Sequence, residues 1–187
     1  MKELAYSQLW AGWLAHLNDK PAVGIELGTY RGESAEWMLA NIFTHPEARY
    51  YCVDTFLGSV EHKILEIDCT TLKMQAAQRL EPYKDRCAIL VGATRSVLRH
   101  WELEPADSVY IDAGHGSQDV LRDSVLAWEL LKVGGVMIWD DYLWNWFPEP
   151  VDNPKMAIDA FLACYARHLT ILRPTGYQIA VQKTDED

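Results

Sequence analysis

Three aspartates and one histidine in the C-terminal half of the chain have a spacing that could support chemistry. Asp112 ends one apolar stretch and His115 follows three residues later, while Asp140 and Asp141 end a second apolar stretch. Neighbouring strands of a sheet lie about 5 Å apart, so carboxylates that end two such strands can converge. The pattern predicts a polar centre at one edge of a sheet.

A divalent cation would explain such a centre. Three crowded carboxylates repel one another and raise one another's pKa, whereas Mg²⁺ binds a few carboxylates and keeps positions open for water or substrate. A sugar diol or a catechol could chelate there, the metal would lower the hydroxyl pKa, and His115 could accept the proton. We therefore predict Asp112, Asp140 and Asp141 as metal ligands and His115 with Asp112 as catalytic residues. Taken singly, each could instead be a helix cap, a strand end or a solvated loop residue.

The elements that must position these residues alternate between strands and helices. Apolar runs predict strands at 22–27, 49–54, 87–92, 107–113 and 134–141. Helical patterns predict helices at 4–17, 33–43, 67–80, 117–131 and 154–167, with a short one after Thr94. This βαβ rhythm predicts a parallel sheet covered on both faces, and the runs 168–174 and 175–183 predict a closing hairpin.

The predicted fold class is therefore α/β, a Rossmann-like doubly wound sheet of seven strands, five of them parallel, plus a C-terminal antiparallel hairpin. Residues 1–187 are expected to form a single domain, with an N-terminal helix within 1–20 and a flexible acidic tail at 184–187.

Composition and charge exclude several classes of protein. The net charge is -10 and no cluster of lysine and arginine occurs, which argues against nucleic acid as a partner. No apolar run reaches the length of a membrane span, and the N-terminus does not resemble a signal peptide. The four cysteines form no CxxC pair, which favours reduced thiols. We predict a soluble cytoplasmic protein with no membrane partner.

The stretch "GIELGTYRGESA" predicts a ligand-binding turn between the first strand and the following helix. Gly28 and Gly32 permit close backbone approach, and amides at a helix start favour a carboxylate or phosphate. Asp54 ends the next strand, where an acidic residue can bind both ribose hydroxyls. A plain glycine turn, with Asp54 capping its own loop, is the alternative. The turn lacks the G-x-G-x-x-G pattern of dinucleotide enzymes, which disfavours an NAD-dependent oxidoreductase.

The ordered motifs "IELGTYRGESA", "VDTF", "VGATRS", "YIDAGH" and "GGVMIWDDY" resemble class I S-adenosylmethionine-dependent methyltransferases over nearly the whole chain. Within that class they are most similar to metal-dependent O-methyltransferases of the macrocin and mycinamicin type, and more distantly to catechol O-methyltransferase. The catechol enzymes have lysine where this chain has His115, and asparagine where it has Asp141. Both differences favour the sugar-modifying branch, although the long N-terminal extension of the larger macrolide enzymes is missing.

The resemblance implies roles for individual residues. It implies contacts with the methionine end, the ribose and the adenine of S-adenosylmethionine for the set Glu26, Gly28, Thr29, Tyr30, Gly32, Ser34, Asp54, Thr55, Gly92, Thr94, Arg95 and Asp112. The 28-residue separation of Asp112 and Asp140 resembles the family's metal-ligand spacing. Helix capping is the alternative role for Thr94 and Ser96.

An aromatic segment, "YLWNWFPEPVDNP" at 142–154, follows the predicted metal centre. Tyr142, Trp144 and Trp146 are expected to contact a ring-shaped substrate, although a subunit interface, and hence a homodimer, is an equal alternative. Residues 56–66 form a second candidate lid, in which His62 or Lys63 could touch a ligand.

Together these features predict an S-adenosylmethionine-dependent, Mg²⁺-dependent O-methyltransferase that acts on a hydroxylated small molecule such as a sugar diol or catechol, with His115 as general base. A metal-independent methyltransferase of the same fold is the first alternative. The second is a non-catalytic or hydroxylase-like relative that keeps the cofactor fold.

Overall fold

A computed structural model describes residues 6–172 and 177–185. Its seven strands are β1 Val23–Leu27, β2 Arg49–Asp54, β3 Cys87–Val91, β4 Ala106–Ile111, β5 Leu131–Trp139, β6 Leu169–Leu172 and β7 Ile179–Lys183. They form one sheet in the order β3-β2-β1-β4-β5-β7-β6. Strands β1 to β5 are parallel, and β7 is antiparallel to both β5 and β6. The predicted fold class is confirmed.

The helices cover both faces of this sheet. They are α1 Ser7–Trp13, α2 Glu33–Asn41, α3 Val60–Ile64, α4 Leu72–Leu80, α5 Thr94–Arg99, α6 Ser117–Leu130 and α7 Lys155–Cys164, with 3-10 turns at Ala15–Leu17, Glu81–Tyr83 and Pro150–Asp152. Buried residues of α5, α6 and α7 pack on one face. Those of α1, α2 and α4 pack on the other face, where Trp10 is a core residue and Trp13 is partly buried. Among the described residues, no helix is long and apolar enough to cross a bilayer.

Two predictions about helices were inaccurate because local side-chain hydrogen bonds decide where a helix starts. The helix predicted at 67–80 begins only at Leu72, since the Asp68 carboxylate accepts hydrogen bonds from the amide and hydroxyl of Thr70 and forms a turn there. The segment 56–66, predicted as a loop, contains α3, which Ser59 caps together with His62. A histidine in place of the usual Glu or Gln conceals this capping box in the sequence.

The two ends of the chain are described in part. The predicted N-terminal helix is divided into α1 and the following 3-10 turn. The hairpin turn at 174–176 lies outside the described residues. In the predicted tail, the amide of Thr184 donates to the His168 carbonyl and Asp185 lies 2.6 Å from His168 Nδ1, while 186–187 are not described.

Candidate active site

The glycine turn after β1 lies against the end of β4, at the point where the strand order reverses. Gly28 has a φ of +88°, and a Cβ atom there would lie 1.8 Å from the Asp112 carbonyl oxygen. The two strand ends can approach this closely only because residue 28 is glycine. The crevice created at such a reversal is where open α/β sheets bind ligands.

Replacing Gly28 by alanine is expected to lower the free energy of unfolding by about 3 kcal/mol or more, since the side chain would meet backbone at a positive φ. Denaturant unfolding followed by circular dichroism measures the change. Gly12→Ala is the matched control, because a Cβ at that position meets nothing within 4 Å, and we expect it to be neutral or slightly stabilising. Equal stability of both variants would contradict the backbone contact.

Asp54 holds the glycine turn in place. One carboxylate oxygen accepts hydrogen bonds from the amides of Thr29 and Tyr30 at 2.8 Å each, and the other accepts from the Phe56 amide at 2.7 Å. Tyr30 has a φ of +49°, a conformation that needs such support in a residue other than glycine. The bond to Phe56 is the loop cap considered as the alternative role. A carboxylate offers about four acceptor positions, so Asp54 keeps capacity for one ligand hydroxyl.

A cavity of about 570 Å³ opens beside this turn, a size that suits a ligand with a nucleoside and a side chain. Most of the residues predicted to bind the cofactor line it, namely Gly28, Tyr30, Asp54, Thr55, Gly92, Thr94 and Asp112. The predicted residues that are not in its wall are Glu26, Thr29, Gly32, Ser34 and Arg95. Glu26 and Thr29 are buried behind the turn, Gly32 is the N-cap residue of α2, Ser34 lies in the first turn of that helix, and Arg95 is exposed.

Glu26 is a buried acid beneath the turn. Its Oε2 accepts a hydrogen bond from the Tyr50 hydroxyl at 3.0 Å, and burial raises its pKa well above the usual value. Within the described residues, Glu26 Oε1 and the nearby Thr29 hydroxyl have no hydrogen-bond partner. Such orphaned groups are costly in isolation, and they fit a turn that receives a polar ligand.

Asp112, His115 and Asp141 converge at the ends of β4 and β5, which are sheet neighbours as the sequence required. One ligand atom from each lies within 4.8 Å of the others. His115 Nε2 is 2.9 Å from Asp141 and 3.9 Å from Asp112, and Nδ1 is 2.9 Å from Glu61. The predicted meeting of these aspartates and His115 is present.

The charges of this cluster are strongly coupled. Burial by itself would lower the pKa of His115, but its bonds with Asp112, Asp141 and Glu61 outweigh burial and raise that pKa to about 12. Burial and the charges of Asp140 and Asp141 raise the pKa of Asp112 well above its usual value. In this arrangement His115 is an imidazolium ion that neutralises the carboxylates. It could accept a proton only after losing its own, for example when another cation neutralises the carboxylates instead.

The structure does not bring Asp140 into the group formed by Asp112, His115 and Asp141. The carboxylate of Asp140 accepts a hydrogen bond from Gln178, whose own carbonyl oxygen accepts one from the Trp10 indole at 2.9 Å. Successive side chains on an extended chain point in opposite directions, which separates Asp140 from Asp141. Burial and the charge of Asp141 raise the pKa of Asp140.

Helix α3 covers the cavity and joins its two sides. The His62 ring stacks on the Tyr30 ring with centroids 5.1 Å apart, and Glu61 reaches His115. Burial would raise the pKa of Glu61, but the bonds with His115 and Ser59 lower it to about 2. Lys63 is not in the cavity wall, whereas Ser59, Glu61 and His62 are.

The aromatic segment supports His115 from the other side. The Trp144 ring is buried and its centroid lies 4.6 Å from that of His115. Trp146 stacks on Trp144 at 5.9 Å and is half exposed. Phe147 lines the cavity, whereas the predicted substrate residues Tyr142, Trp144 and Trp146 are not in its wall. The Tyr142 hydroxyl donates to Asp159.

Sequence reasoning missed four acids of the cavity wall, Glu61, Asp119, Asp123 and Asp152. Asp123 is 2 % exposed on the face of α6 that also buries Val120 and Ala127. A carboxylate at a core position of an amphipathic helix was the available signal. Glu61 had no comparable signal, because its partner His115 is distant in the sequence.

Comparison with known proteins agrees with this arrangement. The profile of a family described as "Methyltransferase domain" matches residues 25–142, whereas no curated protein matches the chain significantly. An O-methyltransferase from Bacillus cereus, solved with SAH, is 20% identical with a TM-score of 0.67, and the match covers 97% of this chain and 83% of that one.

Two further solved structures have the same fold. The O-methyltransferase TomG of Streptomyces achromogenes, involved in tomaymycin synthesis and solved with SAM, is 17% identical with a TM-score of 0.65, covering 96% of this chain and 78% of that one. An rRNA methylase from Streptococcus thermophilus is 11% identical with a TM-score of 0.69, covering 99% and 100%.

The doubly wound sheet, with its cavity at the strand-order reversal, has the arrangement in which open α/β proteins bind ligands. The family match extends over more than half of the chain, so the chain belongs to the methyltransferase-domain family. The methyltransferase predicted from the motifs is confirmed.

Proposed function

We propose that this chain transfers a methyl group from S-adenosylmethionine to a hydroxyl oxygen of a small molecule, with a divalent cation held beside the cavity. The observation that carries this proposal is the single cavity wall that joins the glycine turn, Asp54 and the cluster of Asp112 and His115. A ligand that spans this wall would place its reactive end next to His115 and a set of carboxylates.

Different residues in and behind the cavity wall would bind different parts of the cofactor. Asp54 fixes the turn and retains an acceptor position for a ribose hydroxyl. Behind the wall, the buried carboxyl of Glu26 would reach a ligand ammonium group through water. When bound, S-adenosylmethionine supplies an electrophilic methyl group on its sulfonium.

The cluster also fits a metal ion. Asp112 and Asp141 would hold Mg²⁺, and Asp140 would join them if it left Gln178. The raised pKa values of Asp112 and Asp140 reflect carboxylates crowded together, and a divalent cation relieves that repulsion. When bound, the ion would lower the pKa of a chelating hydroxyl. Asp112 and Asp141 would then no longer hold the proton on His115.

His115 is the proposed general base. Glu61 lies 2.9 Å from Nδ1, where its charge would favour a proton, and this leaves Nε2, 2.9 Å from Asp141, as the nitrogen that would accept the hydroxyl proton. Trp144 packs on the ring and fixes its plane. A neutral His115 would take the hydroxyl proton at Nε2 as the oxygen attacks the methyl group.

The acceptor that this site supports is a small molecule with two adjacent hydroxyls, a sugar diol or a catechol. The half-exposed Trp146 and the wall residue Phe147 offer ring surfaces beside the cluster. The net charge of -10 disfavours nucleic acid as the acceptor.

Titration calorimetry of S-adenosylmethionine tests the proposal. We expect the wild type to bind it and Asp54→Asn to weaken binding by about tenfold or more, because the carboxylate that orders the turn is lost. Asp68→Asn is the control, since Asp68 serves only an exposed turn. Methyl transfer to diols and catechols should then stop when a chelator is added.

Two results would change this proposal. Failure of the wild type to bind S-adenosylmethionine would overturn it. Turnover that persists with a chelator would retain the methyltransferase and replace the metal-dependent mechanism by a metal-independent one.

A further inference from the structure

Asp140 lies between an acidic neighbour and an amide neighbour in the sheet. Its backbone amide donates to the Ile111 carbonyl, which places it beside Asp112 at the end of β4. On its other side, the antiparallel register of β5 with β7, extended by one residue, places Gln178 directly opposite Asp140. The Asp140 carboxylate can therefore turn towards Asp112, which needs a shared cation, or towards the Gln178 amide, which needs none.

Gln178 keeps this carboxylate on its own side. The side-chain amide of Gln178 donates to Asp140, and Gln178 is fully buried. Two carboxylates as close as those of Asp112 and Asp140 repel each other, and the repulsion is stronger away from water. The amide therefore stabilises the metal-free protein with Asp140 turned away from the cluster of Asp112, His115 and Asp141.

The Trp10 indole fixes the direction of that amide. The indole N–H is a donor only, and it donates to the Gln178 carbonyl oxygen at 2.9 Å. The amide nitrogen must then face Asp140, whose carboxylate can only accept. Trp10 is 3% exposed, and its ring packs against those of Trp37 and Tyr110 at 5.4 and 5.3 Å. Helix α1 thus reaches the acidic edge of the sheet through one glutamine.

We propose that Gln178, oriented by Trp10, is a positioning residue that keeps Asp140 away from the metal and thereby sets the affinity of the cluster for a divalent cation. The inference rests on the metal-dependent function proposed above. A cation that takes Asp140 as a third carboxylate must break the bond from Gln178, so this bond stabilises the metal-free state alone. Its removal should tighten metal binding, whereas removal of a group that supports a metal ligand weakens it.

Titration calorimetry of Mg²⁺ at pH 7.5 tests the sign of this effect. Gln178→Met keeps the length of the side chain and removes the amide. We expect it to bind Mg²⁺ about 10–100-fold more tightly than the wild type, the range for a hydrogen bond to a charged group. Trp10→Phe removes only the donor that orients the amide and should tighten binding by a smaller factor. Gln178→Leu replaces Gln178→Met if the latter does not fold.

Gln182→Met is the matched control. Gln182 lies on the same strand, and its amide donates to the Gly134 carbonyl at 2.9 Å, far along β7 from the acidic edge. The same chemical change at this position should leave the Kd for Mg²⁺ as in the wild type.

Thermal unfolding separates this role from a structural one. Loss of the bond from Gln178 should lower Tm of the metal-free protein, and the same concentration of Mg²⁺ should raise Tm of Gln178→Met by more than it raises Tm of the wild type. A Gln178→Met variant with a lower Tm both with and without Mg²⁺, and with the wild-type Kd, would show that the amide is only structural and would overturn the inference.

Weaker binding of Mg²⁺ by Gln178→Met would also overturn the inference, because the amide would then support Asp140 as a ligand. Either result leaves the proposed function standing, since the wild type binds Mg²⁺ in both cases. A wild type that binds S-adenosylmethionine but no Mg²⁺ would overturn the metal and this inference together and would retain the methyltransferase.

Discussion

His115→Asn is expected to lower kcat for methyl transfer by about 10²–10⁴-fold, the range for loss of a general base, with the affinity for S-adenosylmethionine nearly unchanged. The histidine lies between Glu61 and Asp141 with its Nε2 towards the substrate position, and asparagine cannot accept a proton there. Steady-state kinetics with the best diol or catechol acceptor, together with calorimetry of the cofactor, measures both quantities.

Glu61→Gln is the companion variant. It keeps a hydrogen-bonding side chain near Nδ1 but removes the charge that holds the proton there. We expect a smaller loss of kcat than for His115→Asn, with KM for the acceptor nearly constant. If His115→Asn retained the wild-type kcat, His115 would not be the base, whatever the effect at Glu61.

Mg²⁺ binding should tighten steeply as pH rises. Asp112 and Asp141 hold an imidazolium ion, because the pKa of His115 is raised to about 12, and burial raises the pKa of Asp112. A cation that binds these carboxylates must displace at least one proton. The metal-free protein therefore carries more protons than the loaded one, and the Kd should fall about tenfold per pH unit for each proton released, roughly 100-fold from pH 6.5 to 8.5.

Calorimetry in two buffers of different ionisation enthalpy counts the released protons directly. His115→Gln cannot carry the proton and should reduce the pH slope, while Asp159→Asn, in an exposed ion pair with Lys155, should leave it as in the wild type. A Kd for Mg²⁺ that is independent of pH in the wild type would show that the cation does not compete with the histidine proton.

Helix α3 contacts both regions of the cavity. His62 stacks on Tyr30 at the glycine turn, and its neighbour Glu61 lies 2.9 Å from His115. This five-residue helix therefore connects the glycine turn to the acidic cluster. Loops and short helices over a cavity commonly exclude water from the reaction in this way.

The sequence alone determined the sheet and the general position of the site. Continuous apolar runs such as 49–54 can be satisfied only by burial on both faces, so their alternation with helices predicted the parallel strands. Asp112 and Asp141 were placed correctly for a related reason, since carboxyl ends of neighbouring parallel strands share one edge. These inferences need only local periodicity and the rules of βαβ connection.

Tertiary structure decided the partners of the polar groups. Asp54, at the end of β2, accepts hydrogen bonds from the amides of Thr29 and Tyr30, which follow the neighbouring strand β1. Asp140 accepts a hydrogen bond from Gln178 and does not join the cluster. Glu61 and Asp123 reach the cavity through a short helix and a long one, each with a partner far away in sequence. Local patterns constrain which face of an element a residue occupies. The group opposite it depends on how elements that are separate in the sequence pack together, and that packing cannot be read from local patterns in a single sequence.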